Sequence, residues 1–374
     1  MPCLTGSRGH LTPASRLTEK SVNLHGSVSR SGLDSAELTG LVESHSGVFG
    51  SLSGASILMT GATGWFGIWL LDCLLAADDI LDLGIRITAV SRNPQAFLKR
   101  FQPFAGDRRI QWIQSDVTKL ESPCKFSHIV HGAADTGGSR DSDSLLRNFQ
   151  TITSGAARVI DIASGGCESM LLLSSGAVYG PCRPGKAAFS ESEAGGPDPS
   201  LPRNAYAEGK RVAELVSAIA ACRGVPIRIA RCFAFVGAHM PFDKHFAIGN
   251  FIADAVEGRK IHVKSDGRPF RSYLYMTDLV RCLLMIMCNG KVGLPYNVGS
   301  DRSITIQDLA LCVNEVVGGS GVRIDGDPTR WDEHYVPDTS RIQKDLNFRQ
   351  EIDIETAIAR TAAWYRAKRD NSLT

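Results

Sequence analysis

Tyr206 and Lys210 stand four residues apart in Tyr206-Ala-Glu-Gly-Lys210, so on a helix they share one face. There an ammonium depresses the pKa of a phenol and holds a nicotinamide ribose. Without its lysine a tyrosine titrates near ~10 and is a poor proton acceptor at neutral pH. Upstream, Leu171-Leu172-Leu173-Ser174-Ser175-Gly176-Ala177-Val178-Tyr179-Gly180 puts Ser175 at the end of an apolar strand, where its hydroxyl can hydrogen-bond a reacting oxygen. Earlier still, Ile57-Leu58-Met59-Thr60-Gly61-Ala62-Thr63-Gly64-Trp65-Phe66-Gly67 carries three glycines between an apolar run and a helical pattern. Glycines in such a turn let the backbone approach a pyrophosphate and leave the helix amino terminus facing the phosphates. The spacing is Gly-x-x-Gly-x-x-Gly rather than Gly-x-Gly-x-x-Gly. Alone, a Tyr-x-x-x-Lys match is more often a solvated helix face, and a glycine turn need hold nothing. Together they indicate redox chemistry on a bound dinucleotide.

The elements that must position these residues are legible as alternation. Apolar runs of strand length at 56–60, 85–90, 110–114, 127–131, 169–174 and 226–231 alternate with helical patterns such as 67–77, 143–163 and 205–223. This predicts an α/β fold, a Rossmann-type doubly wound parallel sheet with right-handed crossovers and helices on both faces. After Gly237 the pattern is irregular, with helices expected near 246–257, 277–288, 306–317 and 354–368. The expected organisation is a tail plus short helix over 1–50, a dinucleotide-binding domain over 51–236 and a smaller substrate-binding lobe over 237–374, with 270–290 returning to the first domain. Residues 1–33 are poor in large apolar side chains and read as a flexible tail. A short helix over 34–49 is expected to pack as an appendage, with Leu38, Leu41 and Val42 on one face.

Further cofactor contacts follow from strand ends. Ser91 and Arg92 close the second strand, where an acidic residue would accept the 2′-hydroxyl of NAD. They suit a 2′-phosphate instead, which favours NADP; otherwise Arg92 stacks on adenine or faces solvent. Asp116 and Val117 follow the third strand and can meet the adenine. Ala133 and Ala134, after the fourth, are small where a cofactor crosses the sheet edge.

Bulk composition narrows the class. The 374 residues are 43% hydrophobic, enough for a substantial core. Lys and Arg number 41 against 39 Asp and Glu, so the net charge of +2 gives no case for nucleic acid or a membrane surface. Ten cysteines without a Cys-x-x-Cys pair suit reduced thiols rather than zinc or disulfides, and no metal site is expected. No apolar run reaches bilayer length. A soluble cytoplasmic protein is the expectation.

On these motifs the chain resembles an extended short-chain dehydrogenase/reductase of the NAD-dependent epimerase/dehydratase family, over roughly residues 55 to 366. Thr60 to Gly67 is similar to the family's cofactor turn, Ser175 stands at its catalytic serine position, and Tyr206 with Lys210 matches its Tyr-x-x-x-Lys. The stretch Asp266 to Asp278 resembles the segment whose arginine, here Arg271, grips a nucleotide diphosphate. Tyr296-Asn297-Val298-Gly299 and Arg330 resemble a late motif and a second phosphate arginine. His239, His245 and Asn250 are candidate sugar contacts, though a loop histidine is more often solvated. The resemblance also implies a homodimer through a four-helix bundle made by 143–163 and 205–223.

Departures bear on the reaction. The family's 4,6-dehydratases carry an Asp-Glu pair after the catalytic serine or threonine; here those positions are Gly176 and Ala177, which argues against dehydration. An Asn that often touches the substrate phosphate is Ala234. Of two family Asn in the helix before the serine strand, the first is Asn148 and the second is Ser154. The resemblance implies a nucleotide-diphosphate sugar as substrate and epimerisation through a 4-keto intermediate. One alternative is an NADPH-dependent reductase of a 4-keto-6-deoxy sugar nucleotide. Another class, a non-catalytic dinucleotide sensor or scaffold, is disfavoured by intact Ser175, Tyr206 and Lys210.

Overall fold

The structure, a computed structural model, describes residues 28–122, 124–134, 141–182, 185–242, 246–326 and 333–373. In chain order the first half runs α1 (Ser35–Ser44), α2 (Ser46–Gly50), β1 (Ser56–Thr60), α3 (Trp65–Leu81), β2 (Arg86–Ser91), α4 (Pro94–Arg100), α5 (Gln102–Gly106), β3 (Ile110–Gln114), β4 (His128–His131), α6 (Ser142–Ser164), β5 (Ser169–Ser175), α7 (Ala205–Cys222) and β6 (Ile227–Cys232). The second runs β7 (Phe235–Val236), α8 (Ala247–Val256), β8 (Ile261–Val263), β9 (Phe270–Arg271), β10 (Leu274–Tyr275), α9 (Met276–Asn289), β11 (Pro295–Val298), β12 (Ile304–Thr305), α10 (Ile306–Val317), β13 (Val322–Ile324), β14 (His334–Tyr335), α11 (Ser340–Leu346) and α12 (Ile354–Leu373).

Seven strands form one parallel sheet in the order β11-β6-β5-β4-β1-β2-β3. Each strand expected from the apolar runs is present within one residue of its expected bounds. Both sheet faces are covered, which is why the strands are apolar throughout rather than alternating. Ile57, Met59, Leu171 and Leu173 enter the core that contains α3 and α9. Leu58, Met170 and Leu172 enter the core that contains α6 and α7. The seventh strand, β11, was visible in the sequence only as a motif; Pro295 begins it, at an edge position where a missing N–H costs little.

The amino-terminal helix differs from expectation. It breaks at His45 into α1 and α2, and it is no appendage: Leu38, Val42 and Phe49 are fully buried in the main core. The cause lies on α3. Asp72 is fully buried there and accepts from Ser29 Oγ at 2.7 Å, Arg30 N at 2.8 Å, Ser31 N at 3.0 Å and Ser31 Oγ at 2.6 Å. A buried carboxylate without such donors would be strongly destabilising, so residues read as tail are tied down. Residues 1–27 lie outside the described residues.

Three small sheets occupy the second half: β10 with β7, β13 with β8, and β12-β9-β14. The last places Tyr335 of β14 across from Arg271 of β9.

Candidate functional site

The glycine turn is shaped by close backbone approach. Gly61 has φ +75°, and a Cβ there would lie 2.7 Å from the Gly132 carbonyl group on the neighbouring strand's exit. A Cβ on Gly67 would run into the Ala62 carbonyl. Gly64 is the amino-terminal cap of α3 and no side chain caps it, so the first-turn N–H groups face the mouth of the turn. Trp65 and Phe66 turn their rings elsewhere. The Trp65 indole donates to the Ala238 carbonyl at 2.7 Å, as Trp69 does at 2.9 Å, and Phe66 packs edge-on against Phe235. Any contact they make with a dinucleotide phosphate is therefore through the backbone.

Thr63 Oγ1 lies 3.4 Å from Ser91 Oγ, which joins the turn to the end of β2. Arg92 follows as an exposed cation. Asp116 accepts from Thr118 N at 2.9 Å and Thr118 Oγ1 at 2.8 Å, and these donors, with Arg92 contributing, hold its carboxyl below the usual range. Val117 is buried against Gly155 of α6, and Ala133, Ala134 and Tyr206 pack on the same core. The residues expected to cradle a dinucleotide thus come together along the carboxyl edge of β1 to β4. Glycines without room for a Cβ, an uncapped helix terminus and small side chains beyond β4 fit that group.

Gly209 lets α7 close on α6, since a Cβ there would already touch Ile152 and Phe149 at 3.4 Å. This brings Tyr206 and Lys210 over the end of β5. The Tyr206 hydroxyl lies beside Ser175, whose Oγ accepts from Ala177 N at 3.2 Å. Lys210 is buried and donates to the Leu173 carbonyl at 2.7 Å, its ammonium 5.8 Å from the Tyr206 ring centre. Burial pushes Lys210 down to about 8. It pushes Tyr206 up to about 12, Ser175 pulling the other way. The expectation that Lys210 depresses the phenol's pKa is therefore not met in the protein alone: desolvation dominates, and the ammonium is turned to the Leu173 carbonyl.

His131 was legible only as part of a run of small residues. It is buried at the end of β4, shares a 2.7 Å hydrogen bond with Thr60 Oγ1, and is held neutral, pushed to about 3 by burial and by Lys210. A second group was not singled out from the sequence. Glu214 pairs with Arg231 at 2.7 Å and accepts from Ser174 Oγ; Arg231 donates to Tyr179 Oη at 2.9 Å, which donates to Asn297 Oδ1 at 2.7 Å. This chain braces β5, β6, β11 and α7 beneath the site. Its signal was available: Tyr206, Lys210 and Glu214 repeat every four residues along one face of α7.

The side facing Ser175 from across the cleft, expected to meet the sugar, combines Gly176 with residues of the second half. At Gly176 a Cβ would lie 2.7 Å from Tyr335 Oη and 2.9 Å from Phe233. Tyr335 packs on Phe233 at 4.9 Å between ring centres, and its hydroxyl lies on the Ser175 side of the ring cluster. It had no sequence signal. Arg271 donates to the Phe270 carbonyl at 2.8 Å and pairs with Glu333 at 3.2 Å. Arg330 and His245 lie outside the described residues. Asn250 is half-buried on α8, whose leading Phe246 packs 6.4 Å from Trp65. His239 is not placed as a sugar contact: its ring packs against Trp364 and Phe101, in a left-handed backbone conformation at φ +65°.

Among the described residues no helix is long and apolar enough to cross a membrane, and no cluster of three His, Cys, Asp or Glu could hold a metal.

Comparison with known proteins agrees with this geometry. The model of the NAD dependent epimerase/dehydratase family matches residues 57–299, from β1 to the end of β11. The chain is 28% identical over 314 residues to UDP-glucuronic acid decarboxylase 1 of Arabidopsis thaliana, covering 83% of this chain and 69% of that one. It is 25% identical over 323 residues to dTDP-glucose 4,6-dehydratase of Streptomyces griseus, covering 84% and 94%. Among solved structures, dTDP-glucose 4,6-dehydratase from Streptomyces venezuelae with NAD bound superposes with a TM-score of 0.71 at 23% identity, over 84% of this chain and 98% of that one. The chain belongs to the NAD dependent epimerase/dehydratase family, the sugar-nucleotide-modifying branch of the extended short-chain dehydrogenases/reductases.

Proposed function

We propose that the protein is an NAD(P)-dependent sugar-nucleotide epimerase acting through a 4-keto intermediate. The observation that carries this reading is the hydroxyl pair of Ser175 and Tyr206 at the end of β5, with Lys210 buried one turn along and no side chain at position 176. A bound nicotinamide supplies the hydride acceptor and, later, the donor. Tyr206 takes the proton of the sugar 4-hydroxyl as C4 is oxidised, and Ser175 donates to the oxygen that becomes the ketone. A phenol at about 12 is almost wholly protonated at neutral pH and so scarcely available as a base, and Lys210 is the cation placed to lower it when its ammonium leaves the Leu173 carbonyl. Tyr206 then returns its proton once hydride re-enters C4 from the other face. Gly176 and Ala177 offer no acid for elimination of water.

Arg271 is the proposed diphosphate contact, with Arg330, His245 and Asn250 as further substrate contacts. Leu146 on α6 and Leu215 and Ile219 on α7 are at least half exposed on the face proposed to bury in a homodimer.

Two other outcomes have specific support. Similarity to UDP-glucuronic acid decarboxylases favours loss of carbon dioxide, because a 4-keto sugar acid is a β-keto acid and releases it without an added side-chain acid. Arg92 favours an NADPH-dependent reductase. Incubation of the purified protein with UDP-glucose and with UDP-glucuronic acid, followed by mass and chromatographic analysis, separates these. An isomer of unchanged mass supports the epimerase; loss of carbon dioxide or of water replaces it with a decarboxylase or dehydratase. Turnover of a 4-keto sugar nucleotide only when NADPH is added identifies the reductase.

A further inference from the structure

We propose that Trp65 is a positioning residue for the second ligand: standing in the glycine turn, it braces Phe246 and with it the helix turn that presents Asn250 to the nucleotide sugar. The inference rests on the functional reading for what that ligand is, while the brace itself rests on contacts within the chain.

Trp65 is the first residue of α3, directly after Gly64. Its backbone belongs to the turn, and its side chain leaves it. The indole donates to the Ala238 carbonyl at 2.7 Å, and Trp69, fully buried in the core, donates to the same oxygen at 2.9 Å. A carbonyl oxygen has two lone pairs, so the two indoles saturate it. An indole has one N–H to give, so this bond sets which way the Trp65 ring faces. The ring meets Phe246 at 6.4 Å between centres and a tilt of 59°, within the range where aromatic pairs attract.

Phe246 caps α8, and its carbonyl accepts from Asn250 N at 3.1 Å, so the two side chains lie one turn apart on one helix face. The same turn is held at a second point. A Cβ on Gly249 would lie 2.8 Å from Met240 Cε and 3.3 Å from the Pro241 carbonyl, so α8 closes directly on the residues that follow Ala238. Both supports therefore trace back to Ala238. That residue leaves β7, beyond the carboxyl end of β6, where doubly wound folds bind their ligands. Dinucleotide phosphates, by contrast, would meet the backbone N–H groups of α3, whose placement depends on Gly61, Gly64 and Gly67 rather than on the indole. A side-chain change inside the cofactor turn should thus cost affinity for the sugar nucleotide and spare the dinucleotide.

The test uses the full chain with dinucleotide bound and whichever of UDP-glucose or UDP-glucuronic acid is turned over. In Trp65→Ala, KM for the nucleotide sugar is expected to rise about tenfold, the upper worth of one aromatic pair, with kcat and dinucleotide affinity within about twofold of wild type. Phe246→Ala should raise KM to the same extent, and the double variant no further, because both remove one brace. Should Trp65→Ala fail to fold, Trp65→Phe, which keeps a ring and loses the N–H, is read instead, with a rise of about threefold. An unmoved KM, additive rises in the double variant, or a fall in dinucleotide affinity equal to the rise in KM overturns the inference and leaves the epimerase reading intact. If the wild type turns over no nucleotide sugar, the functional reading fails and amide hydrogen exchange decides. The amides of α8 from Ala247 to Asn250 must then exchange faster in Trp65→Ala while the first turn of α3 keeps its wild-type rate, and unchanged exchange in α8 overturns the inference.

Discussion

The two walls of the cleft are built differently. The wall proposed to hold the dinucleotide is close-packed and local: Gly61 meets Gly132 across adjacent parallel strands with no room for a Cβ, and the helix that follows starts at once. The wall proposed to hold the sugar is assembled at a distance, from Gly176, Arg271 and Tyr335, and its arginine is already engaged by a half-exposed glutamate. One wall is preorganised by backbone packing; the other is held by a charge pair that a substrate can exchange. Preorganised groups suit a cofactor held through every turnover, and exchangeable ones suit a substrate that must leave.

Removing chemistry without touching either wall is the strongest test. Tyr206→Phe is expected to lower turnover by about 10²–10⁴-fold, the usual worth of a positioned acid–base group, with dinucleotide affinity unchanged in a binding titration. If affinity falls with turnover, the base belongs to the binding wall and the distinction collapses. Gly61→Ala attacks that wall directly. Its Cβ must displace backbone at 2.7 Å from a φ of +75°, a strain of about 1–3 kcal/mol. The expected result is loss of dinucleotide binding and a lower melting temperature, with sugar-nucleotide binding affected only through the missing cofactor.

The same contrast explains what the sequence disclosed. The glycine turn and Tyr206 with Lys210 are short-range patterns, each set by one turn or one helix face, so spacing alone exposes them. The strands were legible because burial on both faces makes them continuous apolar runs. Tyr335 and the Arg231–Tyr179–Asn297 part of the buried chain depend on pairings between elements far apart in sequence, and nothing local marks them; only Glu214 carries a local signal, its four-residue spacing from Lys210. The tie between Asp72 and Ser29 to Ser31 was hidden for the same reason: a polar residue amid the apolar α3 was visible, its donors were not. The direction of the Tyr206 pKa was misjudged because periodicity places a lysine beside a tyrosine without revealing how dry the phenol is.

Arg271→Ala sharpens the comparison on the sugar wall. KM for the nucleotide sugar should rise about tenfold with kcat within about twofold, as loss of binding shared by ground and transition states requires. Glu333→Ala should act in reverse and lower KM, because it releases the arginine from its 3.2 Å partner. If both variants leave KM unchanged, the diphosphate is held elsewhere and Arg271 is only a strand-edge ion pair.

The smallest effect concerns how far the close-packed wall extends. Ser91 lies 3.4 Å from Thr63 of the glycine turn, but Arg92, the next residue, is exposed, with the Asp116 carboxylate in its field. Preorganisation therefore ends within one residue, at the point where a 2′-phosphate would sit. An exposed cation pairing with phosphate is worth little more than a surface ion pair, about 1 kcal/mol, or several-fold in affinity. Arg92→Ala should weaken NADP by that amount and leave NAD within about twofold, and raising ionic strength should erase the difference between wild type and variant. An equal loss for both dinucleotides would mean that Arg92 packs on the adenine they share. The preference for NADP would then fall, and the close-packed wall would extend one residue further than its hydrogen bonds indicate.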